Sequence, residues 1–381
     1  MHDDLLRWRD EFPILARTLH LASHTLGAMP RAARARAAEF LDLWDTQGVT
    51  AWETWLPFLD ESAAVLEGIL GAAPGTVALN QNVSTLQAVV ASCLDFAGPR
   101  RRVVYSDLEF HSVHYVWKEQ ERRGAEVVVV PSDGVRAPVD ALAAAIDERT
   151  AIVPVSHVTF RTAALADVRP IVARAHAAGA LVFLDCYQSA GTVPFSLAEL
   201  GVDLACGGSV KWLCGGPGAA WLYVRPELID RLEPALTGWF AHAAPFAFEM
   251  ERIERARGIR RFAGGTPPVP AFYVARAGWD VVRAIGVEAI RAKSLRQTAA
   301  MIARAEALGF EVRTPRAAAE RGGTVCLDGQ RSKELCDALL ARGVLCDHRP
   351  GAGLRVAPHF YTSDEEIDRF FALVAAASAP P

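Results

Sequence analysis

Six short apolar runs, three of them ending in polar residues, constrain this chain more than any other feature. They are "RVVYSD" (102–107), "EVVVVP" (126–131), "AIVPVS" (151–156), "ALVFLD" (180–185), "DLACGG" (203–208) and "AAWLYV" (219–224). Each is too short for a core helix and too uniformly apolar for a half-exposed strand. They therefore read as strands buried on both faces. Amphipathic helical patterns separate several of them: "HSVHYVWKEQERRG", "DALAAAIDERT" and "DVRPIVARAHAAG". Gly124 and Gly179 stand where helix C-caps belong. This alternation predicts an α/β fold, with a large domain over residues 46–260 whose parallel or mostly parallel sheet is covered by helices.

The tail has a different character. One long helical stretch covers 277–309, followed by short strand patterns "GGTVCLD" (322–328), "GVLCDHR" (343–349) and "GLRVAP" (353–358). The closing segment "SDEEIDRFFALVAAA" has Ser363 and Glu366 at capping-box spacing. Residues 261–381 therefore read as a smaller α+β domain. The segment 1–45, with the Pro-started helix "MPRAARARAAEFLDLWDTQG", is expected to pack with it.

Composition narrows the function. An apolar fraction of 51% with 22% charged residues promises a sizeable core, and a formal charge of −4 carries no nucleic-acid footprint. No apolar run approaches the ~18 residues of a membrane helix, and "MHDDLLRWRDEF" is no signal peptide. Seven cysteines without a CxxC pair fit reduced thiols in a cytoplasm and give no metal site. Cys346, on a strand pattern, reads as structural.

In a sheet of this kind ligands bind beyond the carboxyl ends of the strands. Those ends carry Glu109, Phe110 and His111; Ser156, His157 and Thr159; Asp185, Tyr187 and Gln188; and Ser209 and Lys211. Lys211 lies in "GGSVKWLCGGPGAAWLYV" (207–224), among small and apolar residues. Burial there lowers a lysine's pKa. Either its head snorkels to water or it is kept there to form an imine. Upstream, Asn82, Ser84 and Thr85 open an apolar-periodic helix, a natural anion site. A phosphate site, an acid after one strand and an imine-capable lysine after another are what pyridoxal 5'-phosphate requires.

The motifs resemble, in order, those of the class V aminotransferase group of fold-type I pyridoxal-phosphate enzymes, and within it kynureninase. "SHTLGAMP" (23–30) is similar to Gly-Asn-Ser-Leu-Gly-x-x-Pro, and "VALNQNVS" (77–84) to the phosphate-binding turn. "FHSVHY" (110–115) resembles Phe-Pro-(Ser/Thr)-Asp-x-Tyr, "SHVTFRT" (156–162) Thr-His-Val-Asn-Tyr-Arg-Thr, and "DCYQSAG" (185–191) Asp-x-Ala-His-x-x-Gly. "SVKWLCGGPG" is similar to Thr-Tyr-Lys-Tyr-Leu-Asn-Gly-Gly-Pro-Gly. "GWFAH" (238–242), "GGTPP" (264–268) and "LRVAPHFYTSDEEID" also have counterparts.

The resemblance implies Lys211 as the catalytic Schiff-base lysine. It implies Val83, Ser84, Phe110, Thr159, Asp185, Gln188, Ser209, Trp239 and Thr266 as further cofactor-binding residues. Arg355 would take the carboxylate of a small amino-acid substrate, with Thr25 and His24 beside it. Trp239 and Thr266 would complete a neighbouring site in a homodimer. The implied activity passes through a Cα carbanion to hydrolytic Cβ–Cγ cleavage.

Several positions depart from the pattern. Val210 stands where kynureninase has tyrosine, Gln188 where it has histidine, Thr159 where it has asparagine and Val113 where it has aspartate. His24 and Thr25 replace Asn-Ser. Transamination, C–S lysis and decarboxylating deamination of another amino acid therefore stay open, as does a non-catalytic relative. A nicotinamide dehydrogenase does not, because no GxGxxG follows an early strand.

Overall fold

A computed structural model describes residues 3–329 and 331–378. Along the first two-thirds of the chain lie β1 (Leu19–His20), α1 (Ala32–Gln47), α2 (Trp52–Leu70), β2 (Val77–Asn80), α3 (Val83–Ser92), β3 (Arg102–Ser106), α4 (His111–Glu119), β4 (Glu126–Val130), α5 (Val139–Ala145), β5 (Thr150–Ser156), α6 (Arg169–Ala178), β6 (Leu181–Asp185), α7 (Leu197–Leu200), β7 (Leu204–Gly208), β8 (Ala220–Val224) and α8 (Pro226–Ile229). The remainder carries α9 (Val269–Ile285), α10 (Val287–Ala307), β9 (Glu311–Val312), β10 (Val325–Asp328), α11 (Ser332–Leu340), β11 (Val344–Leu345), β12 (Asp347–Arg349), β13 (Gly353–Val356) and α12 (Asp364–Ser378).

Seven strands form one sheet in the order β2-β8-β7-β6-β5-β3-β4. The pairs from β4 through β7 are parallel, whereas β8 runs antiparallel to both β7 and β2. The reversal has a simple cause. Residues 209–219 form a short connection without a helix, and only an antiparallel neighbour can be reached that way. Alternate residues feed two cores, one on each face. Val103, Tyr105 and Phe183 face α3 and α4, while Val104, Val182 and Leu184 face the other core, which takes in α2, α6 and α9. Gly124 and Gly179 end their helical segments with positive φ, at 95° and 73°.

Two smaller sheets complete the chain, β12-β13-β10-β9 and β1-β11. The N-terminal β1 pairs parallel with β11, Leu19 against Val344, and the N–H of Ala357 donates to the carbonyl of Leu21. The predicted capping box forms on α12. The Ser363 N–H donates to Glu366 Oε2 at 3.0 Å, and the Glu366 N–H to Ser363 Oγ at 3.2 Å. The helical stretch of 277–309 is two helices, broken at Gly286 with φ 86°. The first of them, α9, packs against α1 and α2, with the Tyr273 and Phe58 rings stacked at 3.9 Å. The second, α10, carries Met301 and Ile302 into the core of the small sheet.

Candidate active site

Sheet topology brings the chemistry together. β2, β3, β5, β6 and β7 all end at one edge of the large sheet, so the residues just beyond them converge. A pocket of about 230 Å³ opens there, lined by Asn82, Val83, Ser84, Phe110, Ser112, Ser156, Val158, Phe160, Asp185, Tyr187, Gln188, Val210 and Lys211.

At the pocket's base, α3 points its N-terminus inward. Asn82 caps it, accepting the Thr85 N–H at 2.8 Å. The amides of Val83 and Ser84 have no intrahelical partner, so with the Ser84 hydroxyl they form a ready anion cradle. Phe110 is the residue just before α4, and its ring packs edge-on against Phe160 at 5.2 Å.

Lys211 is half-buried, and among the described residues its Nζ has no hydrogen bond or ion pair. It meets instead the faces of Tyr187 (4.4 Å to the centroid) and Phe110 (5.8 Å). Loss of hydration dominates and lowers its pKa to about 7, despite the opposing pull of Asp185. Asp185 itself is buried and shifted upward by desolvation, against the Tyr187 N–H at 2.8 Å and the charge of Lys211.

A second buried carboxyl, Glu109, accepts the Ser156 hydroxyl at 2.5 Å and the Ser106 hydroxyl at 3.1 Å. Desolvation raises it to about 8, so at neutral pH it is held uncharged and adds no second negative charge beside Asp185.

The lysine loop is tightly seated. Cys214 adopts φ 52°, in the left-handed region that favours glycine and asparagine. Gly27 donates its N–H to the carbonyl of Val210 at 2.8 Å, and a Cβ at Gly27 would collide with the carbonyl oxygen of Lys211. Gly27→Ala is therefore expected to lift the 23–28 segment off the loop. The cost, about 2–3 kcal/mol by overpacking, reads as a fall of several degrees in Tm. An unchanged thermal transition would contradict this contact.

Of the other expected site residues, Thr159, Ser209, Trp239, Thr266, His24, Thr25 and Arg355 lie outside the pocket lining. The Thr159 hydroxyl is within a turn, 2.7 Å from Thr162 Oγ1 and accepting the Ala164 N–H at 3.0 Å. Ser209 Oγ faces backward and accepts the Trp279 indole N–H at 3.0 Å. Trp239 is on the surface beside Phe240, Phe246 and Phe248. Thr266 lines a separate surface groove with Phe40, Trp44 and Trp52. Gln188 does line the pocket; its amide donates to the His24 carbonyl at 3.1 Å and accepts the Trp212 indole N–H at 3.1 Å.

His24, Thr25 and Arg355 meet at a residue that sequence reasoning missed, Asp347. Its carboxylate accepts Arg355 Nε at 2.8 Å and Nη2 at 2.6 Å, His24 Nε2 at 2.9 Å and Thr25 Oγ1 at 2.9 Å. Burial pushes Asp347 up, but His24 and Arg355 overcome it and hold the carboxyl well below its usual range. Desolvation lowers His24 to about 4, so at neutral pH its ring is an uncharged donor rather than half of an ion pair. Phe160 and Ser112 were also missed as pocket residues. Their nearest signal was position just after a strand or just after Phe110.

The chain matches the family model described as Aminotransferase class-V over residues 69–370. It is 33% identical over 365 residues to an uncharacterized aminotransferase, YcbU, of Bacillus subtilis (strain 168), covering 95% of both chains. It is 33% identical over 369 residues to kynureninase of Burkholderia pseudomallei (strain 1106a), covering 93% of this chain and 87% of that one. Among solved structures, a cysteine desulfurase from Thermococcus onnurineus NA1 superposes with a TM-score of 0.87 at 19% identity, covering 97% of both chains. The cystine C-S lyase C-DES, in complex with its reaction product cysteine persulfide, superposes at 0.86 and 19% identity, covering 97% of this chain and 100% of that one.

Proposed function

The chain belongs to the class V aminotransferase family, and from that premise we propose that it is a pyridoxal-phosphate enzyme acting at Cα of a small amino-acid substrate, with kynureninase-type hydrolysis of Cβ–Cγ as the leading reaction. The observation that carries the cofactor reading is the convergence of Lys211, Asp185 and the N-terminus of α3 on one pocket. The donor set fits the group. Val83 and Ser84 would take its phosphate, Phe110 would cover its ring, Asp185 would hold the ring nitrogen, and Lys211 would be its point of attachment. When bound, the cofactor supplies an electron-withdrawing ring that delocalises charge developing at Cα.

The remaining chemistry falls to the chain. A lysine amine with a pKa near 7 accepts or returns a proton at neutral pH, which suits Lys211 to move the Cα proton. Burial raises Asp185, and the Tyr187 N–H and the charge of Lys211 pull it back toward its ionised form. Arg355 would clamp the substrate's carboxylate. Apolar walls at Val158, Phe160 and Val210 exclude water from the proton exchange.

One observation favours a second reading. Val210 lines the pocket at the position where kynureninase carries tyrosine, so no hydroxyl is offered there for a second proton transfer. Transamination, which asks only Lys211 to move a proton, needs none; C–S lysis or decarboxylating deamination of a different amino acid stays open on the same scaffold.

A homodimer is also proposed. Trp239, Phe246, Phe248 and Met250 expose large apolar surfaces, as do Trp44 and Val49 near Thr266, and a second copy would cover them.

The test is to mix cofactor-loaded protein with L-kynurenine and, separately, 3-hydroxykynurenine. Release of anthranilate or its hydroxy analogue together with alanine, at catalytic turnover, is the expected result. A visible spectrum that shifts only with other amino acids would reassign the reaction while leaving the cofactor in place.

A further inference from the structure

We propose that Asp347 is a positioning residue that holds Arg355 as the carboxylate clamp of this site, an inference that rests on the reading of Arg355 as that clamp. Arg355 is buried, with 4% of its surface exposed, and its guanidinium is already engaged. Nε and Nη2 lie side-on against the two oxygens of Asp347, and Nη1 donates to the carbonyl of Phe160 at 2.6 Å. A guanidinium carries five N–H hydrogens, so these three bonds leave two, on the terminal nitrogens. A free Arg355 would be a mobile cation; held this way it is a fixed, partly neutralised donor with a defined remaining face.

The same carboxylate reaches the pocket by a second route. Asp347 binds the His24 ring, and the carbonyl of His24 accepts the amide of Gln188, a pocket-lining residue. Through Arg355 it reaches Phe160, also in the lining. Asp347 is therefore one joint from which two contact chains run to two walls of the pocket. One runs along β13 and the other through the N-terminal segment. Register builds the joint: β12 and β13 are antiparallel with Asp347 directly opposite Arg355.

The experiment compares holoenzyme binding of L-alanine with that of ethylamine, the same amine without a carboxylate, by spectral titration of the bound cofactor. Wild type is expected to bind L-alanine at least ten times more tightly. Arg355→Lys should remove that preference. Asp347→Asn should cut it about tenfold or more, while ethylamine affinity and cofactor affinity stay within about twofold. Should Asp347→Asn fail to fold, because it leaves Arg355 buried without its anion, Asp347→Glu keeps the charge, moves the fork, and should lose several-fold of the preference.

An Asp347→Asn or Asp347→Glu protein with unchanged or increased preference overturns the proposal, the increase meaning that Asp347 competes with the substrate. A wild type with no preference, or an Arg355→Lys protein that keeps it, overturns the clamp reading itself and the proposal with it.

Discussion

Lys211→Ala is expected to give a folded protein, at least as stable as the unsubstituted chain without cofactor, that no longer fixes pyridoxal phosphate to the polypeptide on borohydride treatment. Nζ makes no hydrogen bond or ion pair among the described residues, so its removal orphans no partner. Burying the amine lowers its pKa from 10.5 to about 7, an unfavourable contribution that the substitution removes. Apo-protein Tm should therefore hold or rise. Turnover of any amino-acid substrate should fall by at least about 10²- to 10⁴-fold, the usual share of a positioned acid–base group. Mass spectrometry of the reduced protein and a thermal scan decide it. Covalent retention of the cofactor in the variant, or a large fall in Tm, would remove Lys211 from the centre of the site.

Residues just beyond a strand were the legible part of this molecule. Lys211, Asp185 and Phe110 could be read as candidate site residues because apolar runs mark strand ends, and Ser84 because it opens an apolar-periodic helix; the topology gathers all four at one edge. Thr159 and Ser209 also come after strands, yet their hydroxyls turn into Thr162 and Trp279, and nothing in an irregular segment reports which way a side chain faces. β8 reads like its parallel neighbours, because apolar periodicity carries no strand direction; only the short helix-free connection before it does. Asp347 was invisible for a different reason. Its importance arises from cross-strand register with Arg355 and from a histidine 323 positions away in the chain. Neither relation leaves a local pattern.

That long-range seam should also set the protein's acid limit. Desolvation lowers the pKa of His20, His24 and His157 to about 4, and of His359 to about 3, against 6.5 for a free ring. His24 and His359 are held neutral although the first donates toward Asp347 and the second pairs with the Trp212 carbonyl at 2.9 Å. With folded pKa values below the unfolded one, the unfolded chain binds more protons between pH 6.5 and 4. Stability is therefore complete above about 6.5 and drains as pH falls through that window. Glu109 works the other way: its folded value near 8 exceeds the ordinary 4.5, so it returns stability as pH falls from 8 to 4.5. Glu109 and Asp185, both raised by burial, oppose the four rings; each ring contributes about 3–5 kcal/mol, and their sum rivals the ~5–15 kcal/mol stability of a typical domain. The expected result is cooperative unfolding with a midpoint between pH 4 and 6. Loss of near-ultraviolet dichroism should report it, beginning around these rings, where His20 packs on Tyr361, His24 meets Asp347 and His359 meets the Trp212 carbonyl. His359→Gln keeps a donor for Trp212 and removes a titrating ring, so its midpoint should move to lower pH. Stability that stays flat from pH 6.5 to 4, or a His359→Gln midpoint that does not move, would mean that these rings are not buried as neutral imidazoles.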